Sequence, residues 1–453
     1  MKSIYLFACS LVFVTFCNAV SFGPEEDKTV KDDFVQKGSM RIMSAIGPVN
    51  QLCSGVNIHF TRGHERDLDM IAAAGFKFIR MDFGWQSTER EKGVYNWEAF
   101  DELTNNLEKR GIKALYILDY SNSLYESSTL IKDQATGVER RVTNSPQTPE
   151  SVAAFAKWAA AAAEHFKGRN IIWELWNEPN LSNFWRPQAD VEQYKTLCLA
   201  TCKAIKEKVP DSYIIGPATS GFPYPFLEAI LASGILDYLD AVSVHPYRGP
   251  QRAPETAIED YAKLREMIDQ YASASKKGMP IISGEWGYSN FNRGVPRETQ
   301  AATLPRMIMT NLYAGVPLSI WYDWKDDGTD PAENEHNFGT VTYDLIPKAS
   351  YITAMTMSRH LDGFTFVKRM DVRNESNFVM VFKNDRDEYK VSAWTIGQPH
   401  SIVLDLNIPD LSGVKIMDGK GNIMKVDSYR GRLIAALTDL PQYIDLPREV
   451  KIE

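Results

Sequence analysis

Short apolar segments that end in polar residues recur along most of the chain and alternate with segments of helical periodicity. Apolar runs of this kind are typical of parallel strands buried on both faces, and the longer periodic segments predict amphipathic helices. We predict eight such strands, over residues 54–60, 76–82, 113–119, 170–178, 213–218, 241–247, 280–286 and 317–324. Helices are predicted between them, among others over residues 65–74, 97–110, 149–166, 191–208 and 297–313, with Thr148 as an N-cap. Eight strand and helix units predict an α/β fold, a (β/α)8 TIM barrel over residues 51–361.

The pattern changes after residue 361, where short strands follow one another without helices. Predicted strands cover residues 364–372, 378–383, 389–396 and 401–406, with turn residues such as 418–422 between later ones. This spacing predicts a C-terminal β-sandwich domain over residues 362–453. We expect the N-terminal extension, residues 20–50, to add a strand to it. Because no Pro-, Gly- or Ser-rich linker separates the two parts, we expect the sandwich to pack against the barrel; an independent carbohydrate-binding module is the alternative.

The first residues have the three parts of a secretory signal peptide. Lys2 is followed by an apolar run over residues 4–16 and by small and polar residues up to Ala19, which predicts a signal peptide over residues 1–19. Since this run is too short to cross a bilayer, we expect an exported protein, periplasmic or secreted, without a membrane span. A retained membrane anchor is the alternative.

Composition narrows the class of ligand. The chain has 453 residues, of which 44% are hydrophobic, and a net charge of -8. This charge argues against nucleic acid or an anionic membrane as the partner and favours a neutral or weakly charged ligand. The sequence contains neither the Cys and His spacing of a zinc site nor a Gly-rich phosphate loop, so we predict no metal and no cofactor. No particular oligomeric state is indicated.

Two local features could hold a cation or a disulfide. The acidic segment 326–336 has oxygen atoms enough for calcium but lacks the spacing of an EF-hand, and we predict a mobile loop that shapes a cleft. Signal cleavage would leave Cys53, Cys198 and Cys202, and the last two lie four residues apart on a predicted helix. That spacing suits a disulfide poorly, so we expect these thiols to serve packing.

Two of the predicted strands deliver a carboxylate. The run over residues 170–178 ends in Asn177 and Glu178, and the run over residues 280–286 carries Glu285 near its end. On a (β/α)8 barrel, the carboxyl ends of the strands carry the active site. A glycosidase needs two carboxyl groups there: one donates a proton to the leaving oxygen, and the other stays ionised to attack or stabilise the sugar cation. A purely structural, hydrogen-bonded acid is the alternative for each.

Further polar and aromatic residues lie at predicted strand ends. Arg80 can hold a carboxylate bidentately and keep it ionised, with a structural ion pair to a neighbouring aspartate as the alternative. His245 and Tyr247 offer a ring nitrogen and a phenol to sugar hydroxyls or to a catalytic Glu. Asn177 can donate to the sugar 2-hydroxyl. Flat indole rings suit the apolar faces of pyranoses, and the candidates are Trp321 first, with Trp286 and Trp324; packing in the core is the alternative.

The residues around Glu178 form a longer motif, Trp173-Glu174-Leu175-Trp176-Asn177-Glu178-Pro179-Asn180-Leu181, followed by Tyr194 and Gly216-Pro217-Ala218. This pattern resembles glycoside hydrolase family 39 among the clan A retaining glycosidases, over residues 54–361. The resemblance implies retention of configuration on β-linked or equatorial substrates, with Glu178 as acid/base and Glu285 as nucleophile. It also implies substrate-binding positions at Arg80, Asn177, His245, Tyr247 and Trp321. Family 5 or a minor relative is the alternative.

The first hypothesis is an exported retaining β-glycosidase that acts on polysaccharide-derived oligosaccharides, and the resemblance to family 39 implies an exo-β-xylosidase. The family also contains endo-acting enzymes on bacterial exopolysaccharides and uronidases, so an endo-β-glycanase on a polysaccharide is the alternative. A non-catalytic carbohydrate-binding protein would lack the two acids, and both are present.

Overall fold

Eight parallel strands close into a barrel, which confirms the fold predicted from the apolar runs. The computed structural model describes residues 41–132, 137–250, 252–408 and 410–452. The barrel strands are β1 Ser54–Asn57, β2 Phe78–Gly84, β3 Lys113–Asp119, β4 Ile172–Leu175, β5 Tyr213–Ser220, β6 Ala241–His245, β7 Ile281–Trp286 and β8 Ser319–Trp321. They pair in chain order, and β8 closes the barrel on β1, where Ser54 pairs with Ser319. Strands β1, β4 and β8 are shorter than predicted, because the chain leaves the ladder after Asn57, Leu175 and Trp321.

Helices cover the outside of the barrel and fill most of the connections between its strands. They are α1 Met43–Ile46, α2 Glu65–Ala73, α3 Trp85–Thr88, α4 Glu98–Glu108, α5 Pro149–His165, α6 Val191–Lys208, α7 Tyr224–Leu231, α8 Ala257–Tyr271, α9 Arg297–Tyr313 and α10 Ala349–Leu361. The predicted N-cap of α5 is confirmed, because the Thr148 hydroxyl accepts a 3.1 Å hydrogen bond from the Ser151 N–H. Two hairpins, Glu89–Glu91 with Val94–Tyr95 and Ser128–Lys132 with Glu139–Thr143, extend the loops after β2 and β3.

Apolar side chains fill the barrel interior at the amino ends of its strands. These are Phe78, Leu115, Ile172, Ile215, Ala241, Ile282, Leu318 and Ile320. Ile42 and Ile46, at the two ends of α1, pack against them and close this end of the barrel. The part of the N-terminal extension that is described, residues 41–50, contains this helix under the barrel. At its end, the Asn50 carbonyl accepts a 2.7 Å hydrogen bond from the Phe366 N–H, and Gln51 forms an isolated antiparallel bridge with Thr365, so the chain pairs with the C-terminal sheet there. Residues 20–40 of that expected strand lie outside the described residues.

The C-terminal region forms two antiparallel sheets, which confirms the predicted β-sandwich. Its strands are β9 Thr365–Arg369, β10 Asn377–Lys383, β11 Tyr389–Thr395, β12 His400–Leu404, β13 Lys415–Met417, β14 Ile423–Met424, β15 Asp427–Tyr429, β16 Arg432–Leu437 and β17 Gln442–Asp445. One sheet has the order β9-β10-β11-β17-β13-β14 and the other β12-β16-β15. Val379 and Val391 of the first sheet share a core with Leu404 and Leu433 of the second.

The other face of the larger sheet packs on the barrel helices. Alternate residues of β10, such as Phe378 and Phe382, belong to the same apolar cluster as the barrel wall. The indole N–H of Trp394 donates a 2.7 Å hydrogen bond to Glu255, which Arg306 of α9 holds through two further bonds of 2.7 Å. The barrel wall therefore covers the face of the larger sheet that points away from the smaller sheet.

The cysteines serve packing, as expected: Cys53, Cys198 and Cys202 are buried free thiols. Burial raises the pKa of Cys53 and of Cys202 to about 12, so neither is a ready nucleophile. Among the described helices, none combines the length and the apolar character that crossing a bilayer requires.

Candidate active site

A buried arginine connects four side chains at the carboxyl ends of the barrel strands. Arg80 of β2 donates from Nε to Glu174 Oε2 and from Nη1 to Glu285 Oε2, both at 2.6 Å. Its Nη2 lies 2.8 Å from Asn177 Oδ1 and 3.1 Å from His245 Nε2. Although burial opposes the charge, the carboxylates of Glu174 and Glu285 raise the pKa of Arg80 above its ordinary value. The partners of Arg80 are thus two glutamates rather than a neighbouring aspartate.

Glu174 is a site residue that the sequence analysis missed. It is fully buried, and its Oε1 accepts a hydrogen bond from the Ser243 hydroxyl while Oε2 receives Arg80. Gly284 makes room for it, since a Cβ at that position would lie 2.7 Å from Glu174 Oε1. A signal for it exists in the sequence: Glu174 lies two residues after Ile172 on the same strand, and alternate residues of a strand share a face. The apolar run around it concealed that position.

Glu285, at the end of β7, accepts hydrogen bonds on both carboxylate oxygens. Arg80 donates to Oε2, and the Tyr247 hydroxyl donates to Oε1 at 2.7 Å. Burial and the charge of Glu285 raise the pKa of Tyr247 well above its ordinary value, so the phenol remains a donor. A cation and a hydroxyl thus hold the two oxygens of this carboxylate in a fixed orientation, as a nucleophile requires.

Glu178 lies opposite Glu285 and is linked to Arg80 through His245. His245 Nδ1 is 3.0 Å from Glu178 Oε1, and its Nε2 faces the guanidinium of Arg80. Because a guanidinium only donates, Nε2 must accept, and this assigns the ring proton to Nδ1, which donates to Glu178. Carboxylate oxygens of Glu178 and Glu285 and a nitrogen of His245 lie within 4.8 Å of one another.

The backbone after β4 is strained where it presents these groups. Trp176 has φ of 66° and Glu178 has φ of 46°, in the left-handed region that side chains with a Cβ rarely adopt. The Glu178 N–H donates a 2.9 Å hydrogen bond to the Ala218 carbonyl, which holds the turn against β5. Strained residues of this kind concentrate at functional sites, because the surrounding structure must hold them in place.

The tryptophans predicted to bind sugar do not face the mouth of the barrel. Trp321 is fully buried in the cluster outside the barrel strands, and its indole N–H donates to the Phe338 carbonyl at 3.4 Å. Trp286 is also fully buried in that cluster, and Trp324 donates a 3.0 Å hydrogen bond to Asp67 of α2. Ile320 points into the barrel, so Trp321, one residue later, points outward.

Tyr322, which follows β8, is a further aromatic residue near Glu285, and the sequence analysis missed it. Its side chain is partly exposed and its ring centroid lies 5.7 Å from that of His59. Burial and the nearby charges of Asp323 and Glu285 raise the pKa of Tyr322 above its ordinary value. Successive side chains of a strand point to opposite faces, so a shift of one residue at the end of β8 determines whether Trp321 or Tyr322 points to the mouth.

Two groups of acidic residues flank these side chains. At the ends of β1 and β8, His59 Nδ1 lies 2.9 Å from Asp327 Oδ1 and 3.9 Å from Asp323 Oδ2. Burial lowers the pKa of His59, but the hydrogen bond to Asp327 and the charge of Asp323 outweigh it and raise the value to about 9. At the ends of β2 and β3, Asp82 is exposed and Asp119 is fully buried. Burial and the charge of Asp82 raise the pKa of Asp119 well above its ordinary value.

The acidic loop after β8 is organised by a lysine. Lys348 Nζ donates to Asn290 Oδ1 at 2.7 Å, to Asp326 Oδ1 at 2.9 Å and to the Asn337 carbonyl at 3.4 Å. The Gly339 N–H donates to the same Asp326 oxygen at 2.8 Å. The Lys348 ammonium thus binds Asp326, the first residue of the acidic segment that had suggested calcium.

Comparison with known proteins places the chain in a family. The model for cellulase, glycosyl hydrolase family 5, matches residues 48–328, more than half of the chain. A β-xylosidase of Geobacillus stearothermophilus is 42% identical over 205 residues, which cover 40% of this chain and 40% of that protein. The matched part therefore spans well under half of this curated relative.

Solved structures agree with the barrel and the C-terminal sheets together. A family 39 glycoside hydrolase from the gut symbiont Bacteroides cellulosilyticus WH2 is 27% identical with a TM-score of 0.75, over 88% of this chain and 81% of that chain. A family 39 β-xylosidase from Caulobacter crescentus, 18% identical, has the same fold with a TM-score of 0.62, over 88% of this chain and 96% of that chain. These comparisons confirm the resemblance to the clan A glycosidases. The solved structures support the likeness to family 39, and the family model matches family 5, which was the alternative. The chain belongs to the cellulase family, glycosyl hydrolase family 5.

Proposed function

We propose that the protein hydrolyses β-glycosidic bonds with retention of configuration, with Glu285 as nucleophile and Glu178 as acid/base. The observation that carries this proposal is the approach of their carboxylate oxygens within 4.8 Å. Retaining glycosidases hold the two carboxyl groups about 5 to 5.5 Å apart, whereas inverting enzymes need about 6.5 to 9.5 Å to admit a water molecule.

In the first step, Glu285 attacks the anomeric carbon while Glu178 donates its proton to the leaving oxygen. Arg80 and Tyr247 hold both oxygens of Glu285, which orients the attack. The glycosyl–Glu285 bond forms as the glycosidic bond breaks, and the leaving group departs as an alcohol. In the second step, Glu178 removes a proton from water, which displaces Glu285 from the sugar. Asn177, bound to Arg80 through its carbonyl oxygen, keeps its amide N–H groups available to the 2-hydroxyl.

The substrate proposal is an exo-β-xylosidase activity on polysaccharide-derived oligosaccharides, supported by the partial match to a β-xylosidase. The runner-up is an endo-β-glycanase, which the family's cellulase description favours. The proposal includes export through the signal peptide that the sequence predicts over residues 1–19. Those residues lie outside the described part of the chain. Xylo-oligosaccharides of defined length distinguish the two activities: single sugars released from one end support exo action, and internal fragments support endo action.

The acid/base assignment is tested with Glu178→Ala on two substrates. An activated aryl β-glycoside should still form the glycosyl-enzyme, whereas a substrate with a poor leaving group should lose about 10²- to 10⁴-fold in rate, the usual contribution of general acid catalysis. Azide should restore the second step and yield a glycosyl azide. Equal loss on both substrates without azide rescue would contradict the role of Glu178.

The nucleophile is tested by trapping the intermediate. A 2-fluoro glycoside with a good leaving group should label Glu285, and the Glu285→Gln variant should remain unlabelled and inactive. Proton NMR should show that the sugar released first has the same anomeric configuration as the substrate. Release of the opposite anomer would exclude the two-step mechanism. A protein that binds the oligosaccharides without cleaving any would instead be a carbohydrate-binding protein.

A further inference from the structure

Glu174 is a buried carboxylate that the proposed two-step mechanism does not use. It lies on β4, on the strand that leads to Glu178, and its side chain is fully buried. Acidic side chains are rarely buried to this extent unless they are paired. The partner is Arg80, whose Nε donates to Glu174 Oε2 at 2.6 Å while its Nη1 donates to Glu285 Oε2 at 2.6 Å. One buried guanidinium therefore serves two carboxylates, of which only Glu285 reacts.

Three other strands of the barrel fix the position of Glu174. The Ser243 hydroxyl of β6 donates to Glu174 Oε1, and Arg80 of β2 donates to Oε2. A Cβ at Gly284 of β7 would lie 2.7 Å from Oε1, so the strand that carries Glu285 packs directly against this carboxylate. Both oxygens have a donor and β7 closes one side, so Glu174 is held against Arg80.

The charges around Arg80 change during the proposed reaction. In the resting enzyme, the carboxylates of Glu174 and Glu285 share the single positive charge of Arg80. When Glu285 attacks the anomeric carbon, its carboxylate becomes an ester and loses its negative charge, while the proton of Glu178 leaves with the departing alcohol. Glu174 takes no part in these bond changes, so its ion pair with Arg80 persists through both steps.

We propose that Glu174 is a positioning residue of the reaction: it is the permanent counter-ion of Arg80 and keeps the buried site free of net positive charge while Glu285 is bound to the sugar. This inference rests on the glycosidase proposal and adds a residue to it. Without Glu174, Arg80 would be an unpaired buried cation beside a sugar that is itself positively charged in the transition state. That repulsion would raise the energy of both transition states.

The test removes the charge of Glu174 and keeps its shape. In Glu174→Gln, the amide oxygen can still accept from Arg80 and the amide N–H groups can donate to the Ser243 oxygen, so only the negative charge is lost. On the aryl β-glycoside that the wild type hydrolyses, kcat should fall by about 10²-fold or more, as expected when one partner of a buried ion pair is removed.

A matched pair of ligands distinguishes the charge of Glu174 from a purely structural role. For a xyloside, the pair is iminoxylitol, whose ring nitrogen is protonated, and anhydroxylitol, which has the neutral ring oxygen; for another sugar, the pair of that configuration is used. Since one guanidinium spans the two carboxylates, the charge of Glu174 lies within about 8 Å of Glu285. In Glu174→Gln, calorimetric titration should show at least about 10-fold weaker binding of the iminosugar and about the same affinity for the anhydro sugar.

Glu255→Gln is the matched control. Glu255 is also buried and ion-paired with an arginine, Arg306, but it lies between the barrel and the C-terminal sheets. Its loss should lower the Tm and leave kcat and both ligand affinities unchanged. Should Glu174→Gln fail to fold, Ser243→Ala provides the test: it removes one donor from Glu174 and should weaken iminosugar binding in the same direction, by a smaller factor.

The possible outcomes are distinct. Equal loss of affinity for the iminosugar and the anhydro sugar would overturn the inference, because Glu174 would then act only by maintaining the shape of the site. Unchanged kcat and affinities in Glu174→Gln would overturn it as well, and both results leave the glycosidase proposal intact. A wild-type protein that hydrolyses none of the aryl glycosides or oligosaccharides contradicts the glycosidase proposal itself.

Discussion

The two ends of the barrel interior are built on the same strands with opposite chemistry. On β2, Phe78 at the amino end is followed two residues later by Arg80, and on β4, Ile172 is followed by Glu174. All four side chains are at most 1% exposed. The amino end is lined by apolar groups, and the carboxyl end buries the ion pair between Arg80 and Glu174. In this barrel, burial alone does not distinguish a structural side chain from a catalytic one, whereas position along the strand does.

If the division is real, substitutions at the two ends should affect different measurements. Changes at the carboxyl ends should reduce kcat/KM, while changes at the amino ends should reduce the stability of the fold with activity per folded molecule preserved.

The largest effect is expected from Arg80→Lys. An ammonium keeps the charge but cannot reach Glu174, Glu285 and Asn177 at once, so at least two charge-assisted hydrogen bonds are lost. At about 2 kcal/mol each, kcat/KM should fall by about 10³-fold. Steady-state kinetics on an aryl β-glycoside measures this. Arg169→Lys, at a surface arginine that binds Glu108, is the control and should keep full activity.

At the opposite end, Ile172→Ala should lower the free energy of unfolding by about 3 kcal/mol, because it leaves a cavity in a closed apolar layer. Calorimetry should record a lower Tm, while kcat/KM of the folded fraction stays within about threefold of wild type. Ile423→Ala, at a side chain that is 75% exposed, should change neither. Lost activity with an unchanged Tm would abolish the distinction between the two ends.

A third pair of variants tests the strand phase at the end of β8. Tyr322→Ala removes the ring at the mouth and should raise KM by about 10-fold, the scale of one aromatic contact. Trp321→Phe alters a fully buried ring on the outer side and should leave KM unchanged. The reverse result would return the sugar-binding position to Trp321.

The smallest effect concerns His59 and pH. Its pKa is about 9 in the fold, against 6.5 for the free side chain. Between these values the folded state holds a proton that the unfolded state lacks, so the stabilisation is complete below pH 6.5 and is lost as the pH rises through about 9. The difference in Tm between wild type and His59→Gln should shrink over that range. His165→Gln, at an exposed ion-paired histidine, is the control. A Tm difference between wild type and His59→Gln that grows with pH would contradict the raised pKa of His59.

Much of this could be predicted from the sequence, because parallel strands bring their carboxyl ends together whatever their separation along the chain. That rule explains why Glu178, Glu285 and His245, predicted at the ends of three separate strands, lie close together. Glu174 was missed since hydrophobic neighbours hide a polar residue that only its inward-facing position identifies. Trp321 was predicted and Tyr322 was not, since the direction of a side chain depends on its place in the alternation of the strand, which irregular strand ends do not preserve. The partners of Lys348 come from segments up to 58 residues away, a separation that no local pattern encodes.

The Lys348 contacts have a consequence for how the loop after β8 responds to its surroundings. A metal ion would dissociate on dilution and would vary with supply, but a tethered ammonium has a fixed local concentration from the moment the chain folds. The charge of the Lys348 ammonium depends on pH instead. Because burial lowers the pKa of Lys348, the ammonium loses its proton at a lower pH than an exposed lysine would. The oxygens of Asp326 and Asn290 then lose their common cation, and the loop should loosen in alkaline solution.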